Sequence, residues 1–107
     1  MNSRGHTRER LVRKLLEQSG WVVIRAAGSL GPIDLVALRI GYRSMLIEVK
    51  STSGGPYERF GPSERAALLE LAARAGADAV LAYWPVGQSL QLISSNAWPE
   101  LKAKGEA

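Results

Sequence analysis

Three ionisable side chains lie in stretches of the sequence that otherwise consist of the apolar residues typical of buried strands. Asp34 belongs to the segment 33–37 (Ile-Asp-Leu-Val-Ala), and Glu48 and Lys50 belong to the segment 46–50 (Leu-Ile-Glu-Val-Lys). Burial of such groups without partners is costly, so their position needs a reason. Phosphodiester hydrolysis supplies one, because carboxylates hold a divalent cation and an ammonium stabilises charge that develops on the phosphate.

The strands that bear these residues must also bring them together. Side chains alternate along a strand, so Glu48 and Lys50 point to one face while the intervening residues point into the core. Residues 40–43 (Ile-Gly-Tyr-Arg) predict a hairpin turn, and only thirteen residues separate Asp34 from Glu48. The hairpin therefore places Asp34 near Glu48. The alternative is a purely structural, salt-bridged trio in which Lys50 neutralises either acid.

The apolar pattern of the whole chain predicts two helices and five strands in the order αβββαββ. The predicted helices cover residues 7–19 and 63–75, and the predicted strands cover residues 21–25, 33–39, 44–51, 79–84 and 89–93. Gly20 and Gly76 stand where the helices end, and Ser63 is the predicted N-cap of the second helix. We expect an α/β fold with a central mixed, largely antiparallel sheet flanked by helices.

Two further segments have no regular pattern. Residues 52–62 are rich in glycine and proline and predict a mobile loop. Residues 95–107 predict a polar tail or a short helix. With 107 residues and no internal repeat, the chain is expected to form a single domain over residues 1–107.

Composition excludes several classes of site. The chain has no cysteine and one histidine, His6, which rules out disulfides and thiolate metal sites and leaves no histidine-based triad or zinc cage. Any metal must be held by carboxylates and carbonyls, which suit Mg²⁺ or Mn²⁺. No apolar run approaches the roughly 20 residues that span a membrane, and residues 1–10 are too polar for a signal peptide. We expect a cytoplasmic protein with no organic cofactor.

Positive charge is concentrated in the first half of the chain. Residues 1–50 contain nine lysines and arginines and four acids, whereas residues 51–107 contain five and six. Ten of the fourteen cations are arginine, which favours bidentate contacts with phosphate. The basic half predicts a polyanion partner; the alternative is a solvated surface in an arginine-rich protein.

The two acidic segments resemble a known signature. Residues 33–37 and 47–51 are similar to the D…ExK motif of PD-(D/E)XK nucleases. More narrowly, the chain resembles the archaeal-type Holliday junction resolvases in residues 5–10, in residues 20–25, in residues 27–29 ahead of the acid and in the order of the later elements. The resemblance covers residues 4 to about 84.

The resemblance implies a restriction-endonuclease-like fold and a homodimer that binds a four-way DNA junction and nicks two opposing strands symmetrically, with Mg²⁺ or Mn²⁺ in each subunit. It implies that Asp34 and Glu48 are metal ligands, together with the backbone carbonyl of Val49, and that Lys50 is the catalytic lysine. Glu9 is then the helix-borne acid that completes the metal site and the catalytic set.

The resemblance also implies contacts with DNA. Arg10, Arg25 and Ser29 correspond to positions that contact or orient the scissile strand, and the Ser29 hydroxyl is expected near the metal, within the catalytic set. Arg4 and Arg8, which are close to Arg10 in the sequence, are predicted to bind DNA with them. Serine is also common in turns, so Ser29 has a structural alternative.

Other residues have two interpretations. Glu9 has an alternative as a surface residue that pairs with Arg13 one helical turn away. Tyr57, Arg59 and Phe60 in the glycine-rich loop are predicted to contact DNA or wedge at a junction, with local packing as the alternative. The tryptophans are assigned to packing or to the dimer surface; they are Trp21, Trp84 and Trp98.

The sequence also departs from the family in two places. Ile33 separates Pro32 from the acid, and the second helix is richer in alanine than a dimer-forming helix of this family. Two rival functions remain open: a nuclease of the same superfamily with a nicking, flap or restriction-type target, and a DNA-binding module that does not cut. The complete set of Asp34, Glu48 and Lys50 favours cutting over the second rival.

Overall fold

The computed structural model of the chain describes residues 3–26, 33–85 and 87–99, with side chains from residue 7 onward. The elements are helix α1 (Ser3–Gln18), strands β1 (Val22–Arg25), β2 (Leu35–Leu38) and β3 (Met45–Lys50), helix α2 (Pro62–Ala75), strands β4 (Asp78–Tyr83) and β5 (Gln91–Ser94), and a short 3-10 helix (Ser95–Ala97). The predicted order αβββαββ is confirmed, and the 3-10 helix begins the segment that the sequence left as tail or short helix.

The five strands form one sheet in the order β1-β2-β3-β4-β5. Neighbouring strands are antiparallel, except that β3 and β4 are parallel and are connected through α2. The predicted mixed, largely antiparallel sheet is therefore confirmed. Because β1, β3 and β4 run in one direction and β2 in the other, Arg25, Asp34 and Lys50 all lie at the same end of the sheet.

The two helices pack on opposite faces of this sheet. Helix α1 buries Val12 and Leu16 against a cluster that includes Ile47, and helix α2 buries Leu68 against a cluster that includes Leu46. Since side chains alternate along a strand, the even-numbered residues of β3 face α2 and the odd-numbered residues face α1. Both polar residues of β3 therefore lie on the α2 face.

Asp34 lies just before β2 and not inside the strand that the sequence predicted over residues 33–39. Its backbone N–H donates to the Ile47 carbonyl at 2.8 Å, and its carbonyl accepts from the Ala26 N–H at 2.8 Å. Backbone pairing thus continues through Asp34 although strand geometry stops. The carboxylate is held at the strand end by the same hydrogen bonds that hold the sheet.

The starts of both helices also differ from the prediction. Helix α1 begins at Ser3, four residues early, because its polar first turn has no apolar periodicity to reveal it. The N-cap of α2 is Gly61 and not Ser63, with Pro62 as the first helical residue. Proline suits this position because its φ is already helical and its missing N–H would have no partner there. The predicted end at Gly76 is confirmed by its left-handed conformation, φ 67°.

The glycine-rich loop over residues 52–62 is irregular, as predicted, but it is anchored to the core. Phe60 is completely buried against the cluster beneath α2. Inside the loop, the Thr52 hydroxyl donates to the Gly55 carbonyl at 2.9 Å, and the Glu58 carboxylate accepts from the Gly54 N–H at 3.1 Å. The buried ring of Phe60 anchors the end of the loop, and the mobility of the remaining loop residues stays a prediction.

Within the described ranges, no helix has both the length and the apolar character that a membrane crossing requires.

Candidate active site

Asp34, Glu48 and Lys50 meet at the carboxyl end of β3. The Val49 N–H donates to Asp34 Oδ2 at 2.8 Å, which fixes the first carboxylate against the neighbouring strand. Lys50 Nζ lies 3.1 Å from Glu48 Oε2, and both side chains are less than one-fifth exposed. The structure thus brings together the three residues that the sequence grouped, on the face that α2 covers.

The surroundings of Glu48 shift the pKa of its carboxyl. Burial is the main cause that raises the pKa of the Glu48 carboxyl from 4.5 to about 7; the neighbouring Asp34 carboxylate also raises it, and Lys50 lowers it. The Lys50 ammonium therefore does not offset burial and the Asp34 charge together. A raised carboxyl pKa is a common feature of functional sites, and a bound cation would favour the ionised form.

The donor set fits a hard divalent cation. Asp34 and Glu48 offer carboxylate oxygens, the ligands that Mg²⁺ and Mn²⁺ prefer. In a strand, the N–H and C=O of one residue point to the same neighbour, so the Val49 carbonyl points to the side of Asp34 together with its N–H. Among the described residues, no group of three or more acidic or histidine side chains lies together in a way that could hold a metal ion.

Glu9 is not brought into this group. Its carboxylate pairs with Arg25, with Arg25 Nε 3.1 Å from Glu9 Oε1, and its side chain is only 19% exposed. Arg25 pairs with Leu35 across β1 and β2, which places it on the face that α1 covers. The alternative of a Glu9–Arg13 pair is also wrong, because Arg13 pairs with Glu17 at 3.0 Å.

A small cleft lies beside this ion pair. Its volume is about 180 Å³, and it is lined by Glu9, Arg10, Arg13, Arg25 and Leu35. Three arginines and one acid line the cleft. Arg25 pairs with Glu9 and Arg13 with Glu17, so Arg10 leaves an excess of positive charge that suits a phosphate. Two of the predicted DNA-binding residues, Arg10 and Arg25, are therefore neighbours at the sheet end that also holds Asp34.

Glu64 is a charged neighbour of the site that sequence reasoning missed. It lies in the first turn of α2, and its Oε1 is 3.8 Å from Lys50 Nζ. The Lys50 ammonium therefore lies between two carboxylates, those of Glu48 and Glu64. The signal was an acid just after the Gly61-Pro62 helix start, but its relation to Lys50 depends on how α2 lies over the sheet.

The aromatic residues of the glycine-rich loop divide into two groups. Phe60 has no exposed surface and meets the Trp98 ring edge-on at 4.9 Å. Its predicted DNA contact is corrected to packing, because a DNA contact would require removing it from the core. Arg59 is exposed, and half-buried Tyr57 lies 5.3 Å from the Arg65 guanidinium, so these two stay predicted contacts.

The remaining predictions fall partly outside the described residues. Residues 27–32, with Ser29, are not described, nor is the side chain of Arg4. Arg8 is described, and its guanidinium lies 5.0 Å from the centre of the Trp84 ring.

The comparisons with known proteins concern the family and the fold of the chain. The family model of archaeal Holliday junction resolvases (Hjc) matches residues 1–104. Among solved structures, the chain is similar to Hjc of Archaeoglobus fulgidus, a Holliday junction resolvase from an archaeal hyperthermophile, with 25% sequence identity, a TM-score of 0.77, and coverage of 91% of this chain and 77% of the other. No curated protein sequence matches the chain. The chain belongs to the archaeal Holliday junction resolvase family and is a junction-resolving nuclease.

Proposed function

We propose that this protein cuts four-way DNA junctions by metal-dependent phosphodiester hydrolysis, with Asp34, Glu48 and Lys50 as its catalytic set. The observation that supports this most directly is their convergence at one strand end, with Lys50 Nζ 3.1 Å from Glu48 and Asp34 fixed by the Val49 N–H. Membership of the resolvase family supports the junction as the substrate.

Asp34, Glu48 and the Val49 carbonyl would hold Mg²⁺ or Mn²⁺. When bound, the cation supplies Lewis-acid activation of the phosphate and a water of lowered pKa. The residues of the chain would orient the reacting groups and stabilise the transition state. Lys50, kept at the site by Glu48, donates to a phosphate oxygen or to the attacking water and stabilises the negative charge of the transition state.

The α1 side of the site would bind the DNA backbone. Arg10 and Arg25 line the positively charged cleft, and Glu9 holds Arg25 at 3.1 Å. We assign Glu9 the role of positioning Arg25 and not that of a metal ligand, since its carboxylate is engaged by the guanidinium. Arg59 and Tyr57 would contact the junction from the loop over residues 52–62, and Arg4 and Ser29 stay proposed contacts of the scissile strand.

We propose a homodimer as the working particle. Paired symmetric nicks in a four-way junction need two active sites related by a two-fold axis. The face of β1 and β2 that α2 leaves open exposes Val22, Ile24 and Leu38, at 62%, 51% and 37%. The strand register places Val22 opposite Leu38, so these side chains share one apolar surface. We propose that a second copy of the chain covers this surface, because paired nicks need two active sites.

We further propose that the five-stranded sheet and its helices are one nuclease domain that works in the cytoplasm, where its DNA is. The shared sheet and the burial of both its faces support the first statement. The DNA substrate supports the second.

The test is a comparison of substrates of the same sequence. The purified protein is incubated with Mg²⁺ and an end-labelled four-way junction, a flap or a linear duplex, and the products are separated on denaturing gels. We expect paired nicks at symmetric positions in the junction, little cutting of the other two, and no cutting with EDTA. Cutting of flaps or duplex in preference to junctions would contradict the substrate, and the absence of cutting in every DNA would contradict the nuclease.

A further inference from the structure

Arg8 and Trp84 form a pair for which the catalytic set gives no role. Arg8 lies in α1, one residue before Glu9, and Trp84 follows the last residue of β4. The Arg8 guanidinium carbon is 5.0 Å from the centre of the Trp84 indole, which is the geometry of a cation–π contact. Within the part of the chain whose side chains are described, Arg8 forms no ion pair with an acid. Its charge is therefore available for an external anion.

Three contacts hold Trp84 in place, two made by its side chain and one by its backbone. Its Nε1 donates to the Gln88 carbonyl at 2.8 Å. Its backbone N–H donates to the Lys50 carbonyl at 2.9 Å, which extends the pairing of β3 and β4 by one residue. The ring also packs against the core cluster beneath α1. The surface on which Arg8 rests is thus attached to the backbone of the catalytic lysine.

The pair lies at the end of the sheet that holds the proposed catalytic set. Lys50 ends β3, and its carbonyl accepts a hydrogen bond from the Trp84 N–H. Arg8 therefore places a positive charge on the α1 face beside the end of β4, whereas the cleft lined by Arg10 and Arg25 lies on the same face over β1 and β2.

We propose that Trp84 is a positioning residue, whose indole holds the Arg8 guanidinium in the orientation that contacts a backbone phosphate of the junction next to the cut. A free arginine loses side-chain entropy when it binds, whereas one already resting on a fixed ring loses less. The ring covers one face of the guanidinium and leaves its N–H edge for phosphate oxygens. This inference rests on the proposed function, because it requires a junction at the site.

The test measures junction binding as a function of salt. Wild type, Trp84→Leu, Arg8→Ala and the double variant are titrated with a fluorescent four-way junction in EDTA, which prevents metal-dependent cutting. We expect each single variant to bind about 3- to 10-fold more weakly. We also expect each to reduce the slope of log affinity against log salt by about one per bound subunit, because one phosphate contact is lost.

The decisive result is coupling between the two positions. If Trp84 acts through Arg8, the double variant binds no more weakly than Arg8→Ala alone, and Trp84→Phe, which keeps an aromatic face, recovers part of the affinity and of the slope. Thermal unfolding of Trp84→Leu, Trp84→Phe and Arg8→Ala separates loss of folding from loss of binding, and Arg8→Ala alters a half-buried residue that is not part of the apolar core.

The chain offers a matched control at the other end of the sheet. Arg39 lies 5.9 Å from the Trp21 ring and 4.6 Å from the Tyr42 ring, far from β3's carboxyl end. Arg39→Ala is expected to leave junction affinity and salt slope close to wild type. Additive losses at Arg8 and Trp84, or an unchanged slope in Trp84→Leu, would overturn the inference.

Cutting by the wild-type protein distinguishes failure of this inference from failure of the proposed function. Wild-type cutting of the junction with Mg²⁺ together with uncoupled Arg8 and Trp84 variants would overturn this inference alone. A wild-type protein that neither binds nor cuts junctions would overturn both.

Discussion

The two carboxylates at the end of β3 share one lysine, and this imbalance determines how the site responds to protons and metal. Lys50 is 3.1 Å from Glu48 and 3.8 Å from Glu64, while Asp34 accepts a backbone N–H. Burial and the Asp34 charge raise the pKa of the Glu48 carboxyl to about 7. We therefore expect a cation that binds at this site to favour the ionised form of Glu48.

The raised pKa of Glu48 predicts the pH dependence of stability without metal. The folded protein holds the Glu48 proton more tightly than the unfolded chain does, so this group stabilises the fold below pH 4.5 and that contribution is lost as the pH rises through about 7. Glu48→Gln removes the effect. At pH 8 in EDTA we expect the variant to unfold with a free energy larger than wild type by on the order of 2 kcal/mol.

Urea unfolding of both proteins at pH 5 and pH 8, with EDTA or with Mg²⁺, measures this difference. Mg²⁺ is expected to stabilise wild type at pH 8 more than Glu48→Gln, because the cation binds the ionised carboxylates. Equal stability of the two proteins at pH 8 in EDTA would show that Glu48 is not destabilised by its charge.

We expect substitution of Glu64 to lower the cutting rate without weakening junction binding. Its carboxylate is half exposed and lies 3.8 Å from Lys50 Nζ, so Glu64→Gln is expected to lower the cutting rate by about 2- to 5-fold, the range of an exposed ion pair. Junction affinity is not expected to fall, because a negative charge is removed. Glu70→Gln, exposed on the same helix, is the control; single-turnover cutting that is equal in the two variants would exclude a role for Glu64.

At the scale of elements, the connection between the glycine-rich loop and α2 holds one side of the site in place. Arg65 is only 5% exposed, donates from Nη1 to the Phe60 carbonyl at 2.7 Å, and lies under Tyr57 at 5.3 Å. The same helix start presents Glu64 to the catalytic lysine. The loop and the first turn of α2 therefore behave as one structural unit.

Loss of Arg65 is expected to release this unit. Arg65→Leu leaves the Phe60 carbonyl without its donor, so we expect the free energy of unfolding to fall by about 1–3 kcal/mol. Proteolysis within residues 52–61 should become faster than in wild type. Arg74→Leu, an exposed arginine in the last turn of the same helix, should alter neither; unchanged loop cleavage in Arg65→Leu would mean that Phe60 alone anchors the loop.

At the scale of the whole molecule, the two faces of one mixed sheet carry different groups of charged residues. The α2 face presents the proposed catalytic residues Asp34, Glu48 and Lys50, and the α1 face presents Arg25 and the positively charged cleft. They meet at the carboxyl end of β3 because β1, β3 and β4 run in the same direction. A strand bound along that end would touch both groups.

The alternation of side chains and the short hairpin were enough to predict the trio from the sequence, since both depend on local pattern. Contacts between residues that are distant in the sequence do not follow from such local patterns. The Glu9–Arg25 pair joins residues on different elements, and Glu64 meets Lys50 only because α2 lies over β3. Phe60 was misassigned because its glycine-rich surroundings gave no indication that its ring is buried.

The open apolar face of β1 and β2 offers a test of the proposed homodimer. Val22 is 62% exposed on edge strand β1, and Val22→Glu places a charge in the surface proposed to contact the second copy. We expect light scattering to report a monomer that no longer makes paired nicks. Leu92→Glu, at an exposed residue on the opposite edge strand β5, should stay dimeric; a dimeric Val22→Glu would place the interface elsewhere.

The central claim is that Asp34 and Lys50 do chemistry on a junction that other residues bind. Its most direct test is cutting and binding of one labelled four-way junction by wild type, Asp34→Asn and Lys50→Met, with Arg39→Ala as the distant control. Asparagine keeps an acceptor for the Val49 N–H and removes only the charge. We expect the cutting rate to fall by about 100-fold or more for both site variants, with junction affinity retained. Cutting close to the wild-type rate in either variant would contradict it.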